Sequence, residues 1–266
     1  DLVGAFNVLA RRFEPANSGL VEHLISAEFD QREGRGGMFL ICLDEMNLAR
    51  VEHYFAQFLS VLELPTEERR ISLFAEGLAS PADPFAEHRS LLLGTNLRFL
   101  GTVNIDETTH FFSPKVLDRS QVVVFATPNL KDLPQSPARP PARTFPTVSR
   151  EVYASWIRRS INSSARNIFI VLNDILNKSR LGMGFRQFER ALTYIDSAKP
   201  LLKEDDAIDY QIYQVILPRL RPTAPRFHEM LKELRSAVPS SRFRRSAEHL
   251  GRISEDRSED DFFQLL

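Results

Sequence analysis

The residues that most constrain this chain are Met38-Phe39-Leu40-Ile41-Cys42-Leu43, an apolar run without alternation that closes on Asp44 and Glu45. An alternating run describes a strand with one wet face. An unbroken one reads as a strand buried on both faces, the kind found in parallel sheets. After Asn47 the apolar residues Val51, Tyr54, Phe55, Phe58, Leu59 and Leu62 recur at helical spacing and stop before Pro65, which predicts a core-facing helix. The order is strand, polar turn, helix. Cys42, the single cysteine, lies inside the run; this predicts a buried thiol, excludes an intramolecular disulfide framework and suits a reducing compartment.

Around this run the chain divides into differently patterned segments. Upstream, Ser18 and Gly19 precede a helix around Leu20, Leu24 and Ile25, closed by glycines at 34–37. Downstream, Ile71-Ser72-Leu73-Phe74 and Leu91-Leu92-Leu93 suggest a hairpin inserted within residues 63–100. Short strands are expected at 99–103, followed by Asn104, Asp106 and Glu107, and at 121–125, directly after Leu117-Asp118-Arg119-Ser120. Six prolines crowd between Pro128 and Pro146, too many for a helix or central strand. Beyond them everything reads as helix. Ser149 is a candidate N-cap for a helix carrying Val152 and Trp156. Three further faces are formed by Ile168, Val171, Leu172, Ile175 and Leu176, by Phe185, Phe188, Leu192 and Ile195, and by Ile208, Ile212, Val215 and Ile216. The expected organisation is an α/β block at 1–127, a Pro-rich linker at 128–148, a helical block at 149–237, and a mobile Arg/Ser-rich and acidic tail at 238–266.

Composition narrows the partners only a little. With 34 Lys+Arg against 35 Asp+Glu, the 266 residues do not form a chain that coats nucleic acid by charge alone. No stretch approaches the roughly 20 apolar residues of a membrane helix, and the default expectation is a cytoplasmic protein without a membrane partner. The six histidines show no metal-ligand spacing.

In open α/β sheets, ligands bind at the carboxyl ends of strands. There, one acid can associate with Mg²⁺ and a second can orient the attacking water in nucleotide hydrolysis. Asp44 and Glu45 occupy such a position; as a bare pair they read more readily as acids that cap the following helix, favoured by its dipole.

The ordered set Leu43-Asp44-Glu45-Met46-Asn47-Leu48-Ala49-Arg50, Gly101-Thr102-Val103-Asn104 and Leu117-Asp118-Arg119 resembles the AAA+ family, and within it the McrB-like branch. This branch comprises the nucleotide-driven motor subunits of modification-dependent restriction systems and their relatives. Gly184-Phe185-Arg186 and Ile216-Leu217-Pro218-Arg219 extend the likeness into the helical part. The resemblance implies a P-loop NTPase core with an incomplete parallel sheet, followed by an all-helical lid. It makes Asp44 the Mg²⁺-associated Walker B acid, Glu45 the residue that polarises water, and Asn104 the sensor-1 amide. It also makes Arg119 the arginine finger that serves a neighbouring subunit's nucleotide. Asn47, Arg50, Asp118 and Arg119 would border the subunit interface, and Arg186 would fall near sensor 2. Arg50 and Arg186 read equally as solvated helix residues. The implied cofactors are Mg²⁺ with ATP or GTP. The implied partners are further copies in a ring, with a nuclease subunit and DNA as additional candidates.

One expected part is missing from these residues: no G-x-x-x-x-G-K-[ST] string occurs, and that loop cradles the phosphates. The family's strand order, 5-1-4-3-2, puts the P-loop strand between those expected at 121–125 and 99–103. The expectation is therefore a chain that begins after this loop, with the strand at 121–125 failing to pair normally. Tight nucleotide binding by this chain alone is not expected. The alternative is a non-catalytic scaffold of the same shape. A third reading makes Arg242, Arg244 and Arg245 a DNA-binding arm.

Overall fold

The structure, a computed structural model, describes residues 2–104, 110, 112–125, 148–158, 165–221 and 223–255. It is mixed α/β and separates into two units. One comprises Asp1–Arg119 with Ser149–Ala154, the other Ser120–Val148 with Ser155–Leu266. The chain thus changes unit after Arg119, not at the expected 127/128 boundary. The Pro-rich segment, together with Asp106 and Glu107, lies outside the described residues.

The first unit opens with a hairpin absent from the sequence expectation, β1 (Gly4–Asn7) against β2 (Arg12–Pro15). Gly4 sits at φ 115°, and a Cβ there would lie 2.2 Å from the Glu14 carbonyl oxygen, so the hairpin's close backbone approach requires glycine. Helix α1 (Leu20–Glu33) ends on Gly34 at φ 65°, whose amide donates to the carbonyls of Asp30 and Gln31. Strand β3 (Phe39–Leu43) pairs in parallel with β6 (Leu97–Gly101), from Phe39 opposite Leu97 to Leu43 opposite Gly101. A parallel pair needs a long crossover. It is supplied by α2 (Val51–Tyr54), α3 (Ala56–Val61) and the hairpin of β4 (Arg70–Ser72) with β5 (Ser90–Leu92). Helix α4 (Pro114–Leu117) follows.

This unit buries Leu24, Phe58, Ile71, Leu91 and Leu93 in one cluster, with Ile41 from β3. The Phe55 and Phe58 rings stack at 4.8 Å, and Phe99 of β6 meets both edge-on. The strand is not buried on both faces as expected. Successive side chains alternate across a sheet: Phe39, Ile41 and Leu43 join the core, whereas Leu40 is 60% exposed and Cys42 is exposed. On β6, Leu100 is 52% exposed. The expected buried thiol is therefore corrected to a surface one.

Residues 121–125, expected as a strand that fails to pair normally, form no strand. These residues join no ladder, and the Val122 amide instead donates to the Gln214 carbonyl at 3.3 Å. Pro218 explains the opening: it has no N–H to offer the carbonyl four residues before it.

Helix α5 (Arg150–Trp156) begins in the first unit, where Ser149 caps it: the Val152 amide donates to Ser149 Oγ, and the Arg150 amide reaches the Gly36 carbonyl.

The second unit is helical: α6 (Arg166–Asn177), α7 (Phe185–Ala198), α8 (Glu204–Gln211), α9 (Phe227–Ala237) and α10 (Arg244–Glu255). Helix α8 runs into a π-helical turn at Ile212–Ile216 and a 3-10 turn at Leu217–Arg219. Phe169, Leu172, Leu176, Ala191, Ile195, Ile212, Ile216 and Leu234 are fully buried in one core. Two expected core positions point outward, Phe185 at 90% and Val171 at 49% exposure.

The expected mobile tail is corrected over its first half. Val238, Phe243, Leu250 and Ile253 are core residues, their helical spacing hidden among arginines and serines. Nor do the arginines form a free arm. Arg242 pairs with Asp205 at 2.7 Å, Arg245 lies 4.3 Å from the Tyr210 ring centroid, and Arg244 approaches Glu248 at 4.0 Å. Arg219 is buried, donating to the carbonyls of Val215 and Gly182 and to the Gln187 side chain. No helix among the described residues is long and apolar enough to cross a membrane.

Candidate functional site

The site is built where β3 and β6 leave the sheet. Because they run parallel with Leu43 opposite Gly101, the residues following each strand emerge at the same end: Asp44 and Glu45 from one, Thr102 to Asn104 from the other. The two outgoing segments are tied together. The Thr102 amide donates to the Leu43 carbonyl at 3.0 Å, and the Met46 amide to the Thr102 carbonyl at 2.8 Å. The Thr102 hydroxyl donates to Asp44 Oδ1 at 2.5 Å and accepts from the Glu45 amide at 2.8 Å. Glu45 stands at φ 49°, a left-handed conformation that a non-glycine residue adopts at a cost unless its surroundings impose it.

Asn47 completes the tie. Its Nδ2 donates to the Asn104 carbonyl at 2.7 Å, its own carbonyl accepts from the His110 amide, and it is only 3% exposed. Asn47, expected to border a subunit interface, is thus buried and bonded inside this unit. Gly101 leaves room for the turn, since a Cβ there would lie within 3.2 Å of Met46 Cβ. The Tyr54 hydroxyl donates to the Met46 carbonyl at 2.7 Å, and burial raises its pKa above the usual phenol range. On the same helix, burial pushes the Glu52 carboxyl up, but hydrogen bonds from Ser113 and from its own backbone amide, with the nearby His53, together leave the group below the usual carboxylate range.

The remaining sequence-nominated residues are placed as follows. Asp44, Glu45 and Asn104 are exposed at the strand ends. Arg50 is exposed just before α2. Asp118 closes α4 and is half-buried. Arg119 belongs to the same unit, where its Nε lies 3.2 Å from Glu63 Oε1 and its guanidinium donates to the Lys115 carbonyl at 2.6 Å. The residue expected to serve a neighbour's nucleotide is thus engaged within its own chain. Arg186 lies in the second unit, exposed on the first turn of α7.

The oxygen donors at the strand ends are the carboxylates of Asp44 and Glu45 and the amide of Asn104, with the Thr102 hydroxyl hydrogen-bonded to the Asp44 carboxylate and the Glu45 backbone amide. These are hard oxygen ligands of the kind Mg²⁺ takes, and Mg²⁺ commonly uses one or two carboxylates and completes its shell with water and phosphate. Asp44 Oδ2 accepts no hydrogen bond among the described residues, so the carboxylate keeps an oxygen for a cation. The residues present therefore fit a Mg²⁺ associated with a phosphate, and no described group of three or more His, Cys, Asp or Glu forms a protein-only metal cage. Sequence reading missed Thr102, whose side chain contacts both acids. The signal was a hydroxyl residue two positions before Asn104, which acquires meaning only once the register of β3 against β6 is known.

Comparison with known proteins adds one observation. A family model described as "Domain of unknown function (DUF8727)" matches residues 145–262, less than half of the chain. The match covers the helical part and leaves the strand-end site outside it. No curated protein and no solved structure matches.

Proposed function

We propose that this chain carries the Mg²⁺-associated and water-orienting parts of an AAA+ nucleoside triphosphatase of the McrB-like type. The observation that supports this reading best is the parallel pairing of β3 with β6, which brings Asp44, Glu45 and Asn104 out at one strand end. In this reading Asp44 binds the cation, which neutralises charge on the phosphates when nucleotide is present. Glu45 accepts a proton from the attacking water, and Asn104 holds that water or the γ-phosphate. The phosphate-cradling lysine is not among these 266 residues, so that part of the site must be contributed from elsewhere. Arg119 would serve a neighbouring subunit only after leaving Glu63.

The reading extends to a ring of like subunits in a cytoplasmic restriction or defence system, remodelling or translocating a substrate such as DNA, with a nuclease as companion. The competing reading is a scaffold that keeps this shape without turnover. Phosphate release from ATP and GTP by the native protein that contains these residues separates them. Mg²⁺-dependent release that stops on chelation supports the motor, whereas no release from either nucleotide supports the scaffold.

A further inference from the structure

Glu45 holds a left-handed backbone conformation, φ 49°, beside an acid that must keep a defined aim if it is to meet a cation. A conformation of this kind persists where neighbouring groups over-determine it, and here one side chain supplies both restraints. The Thr102 hydroxyl accepts the Glu45 amide proton at 2.8 Å and passes its own proton toward Asp44 Oδ1 at 2.5 Å. The geometry is directional: a hydroxyl has one proton to give and lone pairs to receive, and each is used on a different acid. The backbone of Thr102, directly after β6, has bonds of its own, its amide donating to the Leu43 carbonyl at the end of β3 and its carbonyl accepting from the Met46 amide, so the place of the hydroxyl does not rest on its two side-chain bonds alone.

We propose that Thr102 is a positioning residue for the acid pair: it aims the Asp44 carboxylate at a divalent cation and sets the Glu45 backbone with the same hydroxyl. The proposal rests on the reading of Asp44 as a cation-associated acid. Hydrogen bonds to a ligating carboxylate fix its orientation, and their removal typically weakens metal affinity about 10- to 100-fold. Thr102 reaches no cation itself and acts through Asp44.

The test uses this chain without nucleotide, with Mn²⁺ as the probe. Affinity is read from the free-ion electron paramagnetic resonance signal, and the Glu45 amide from hydrogen exchange. Thr102→Val removes the hydroxyl and keeps the shape; Thr102→Ser keeps the hydroxyl. The expected result is an Mn²⁺ affinity about 10-fold weaker in Thr102→Val, with faster exchange at Glu45, an unchanged melting temperature and both readouts restored in Thr102→Ser. Should Thr102→Val not fold, Thr102→Ala gives the same two readouts.

Unchanged affinity together with unchanged Glu45 exchange in the hydroxyl-free variants overturns the proposal. So does a loss that Thr102→Ser fails to restore. Asp44→Asn is the control for the underlying reading. If it leaves Mn²⁺ binding intact, the cation role of Asp44 fails, and the positioning role toward a cation falls with it. Accelerated Glu45 exchange in Thr102→Val then still shows the hydroxyl clamp, so the two failures are told apart.

Discussion

The two units of this molecule solve the burial problem differently. In the helical unit, the five helices from α6 to α10 close on one core, and even its Arg-rich end contributes Phe243, Leu250 and Ile253. In the α/β unit, β3 and β6 bury one face and leave Leu40, Cys42 and Leu100 on the other. A helix bundle covers its apolar stripes with its own neighbours, whereas a parallel sheet has two faces and needs layers on both. The second face of β3 and β6 is uncovered among the described residues, and the functional candidates stand at the end of that same pair. The helical unit is self-sufficient in packing, while the α/β unit has committed its residues to holding a loop geometry.

The contrast can be broken in several ways, and the strongest lies in the helical core. Phe169 is fully buried on α6, and Phe169→Ala is expected to cost about 3–5 kcal/mol, read by urea denaturation and by lost amide protection across α6–α10. A cost near that of a surface change would show that this core is loose. Next is the end of the chain. The Asp209 carboxylate, 2% exposed, accepts the Arg245 amide at 2.9 Å and the Ser246 amide at 3.0 Å, which caps α10. Asp209→Ala is expected to cost about 0.5–2 kcal/mol and to accelerate exchange along α10. Unaltered exchange there would return these residues to the status of a tail.

A smaller effect follows from charge. The hydrogen bond from Arg242 holds the Asp205 carboxyl below its ordinary value. A carboxyl depressed in the folded state stabilises above its unfolded pKa, near 3.9, and loses that contribution as pH falls through the lower folded value. Because both side chains are about half exposed, the contribution is expected to stay under about 1 kcal/mol. It should vanish in Arg242→Gln when stability is compared at pH 7 and in acid. The smallest effect belongs to the open sheet face. Leu40→Ser is expected to change stability by no more than about 0.5 kcal/mol and to reduce self-association on size-exclusion chromatography. A loss comparable to that of Phe169→Ala would mean that the face is covered after all.

Much of this was legible from residue patterns, and the misses have physical causes. Periodicity placed α1, the helices after Asn47, and α6 to α8, because an apolar stripe at 3.6-residue spacing has few other uses. It did not reveal β1 and β2, whose close approach at the open end depends on Gly4 at φ 115° and not on any apolar pattern. The run ending at Leu43 was read correctly as a strand but not as half exposed, since an unbroken apolar sequence looks the same whether its outer face is covered or bare. Residues 121–125 have strand-like composition, yet the Val122 amide serves a carbonyl that Pro218 leaves free, a partner almost a hundred residues away along the chain. The acids Asp44 and Glu45 and the amide Asn104 were legible as a set. Thr102 was not, because its role exists only in the pairing of two strands.

The proposed activity depends most on Glu45 acting on water at this strand end. Its most direct measurement is nucleotide binding and turnover by the native protein, compared between wild type and Glu45→Gln in the presence of Mg²⁺. Turnover is expected to fall at least about 100-fold, the scale of losing a general base, with nucleotide affinity retained. Turnover that is unchanged in Glu45→Gln would contradict it.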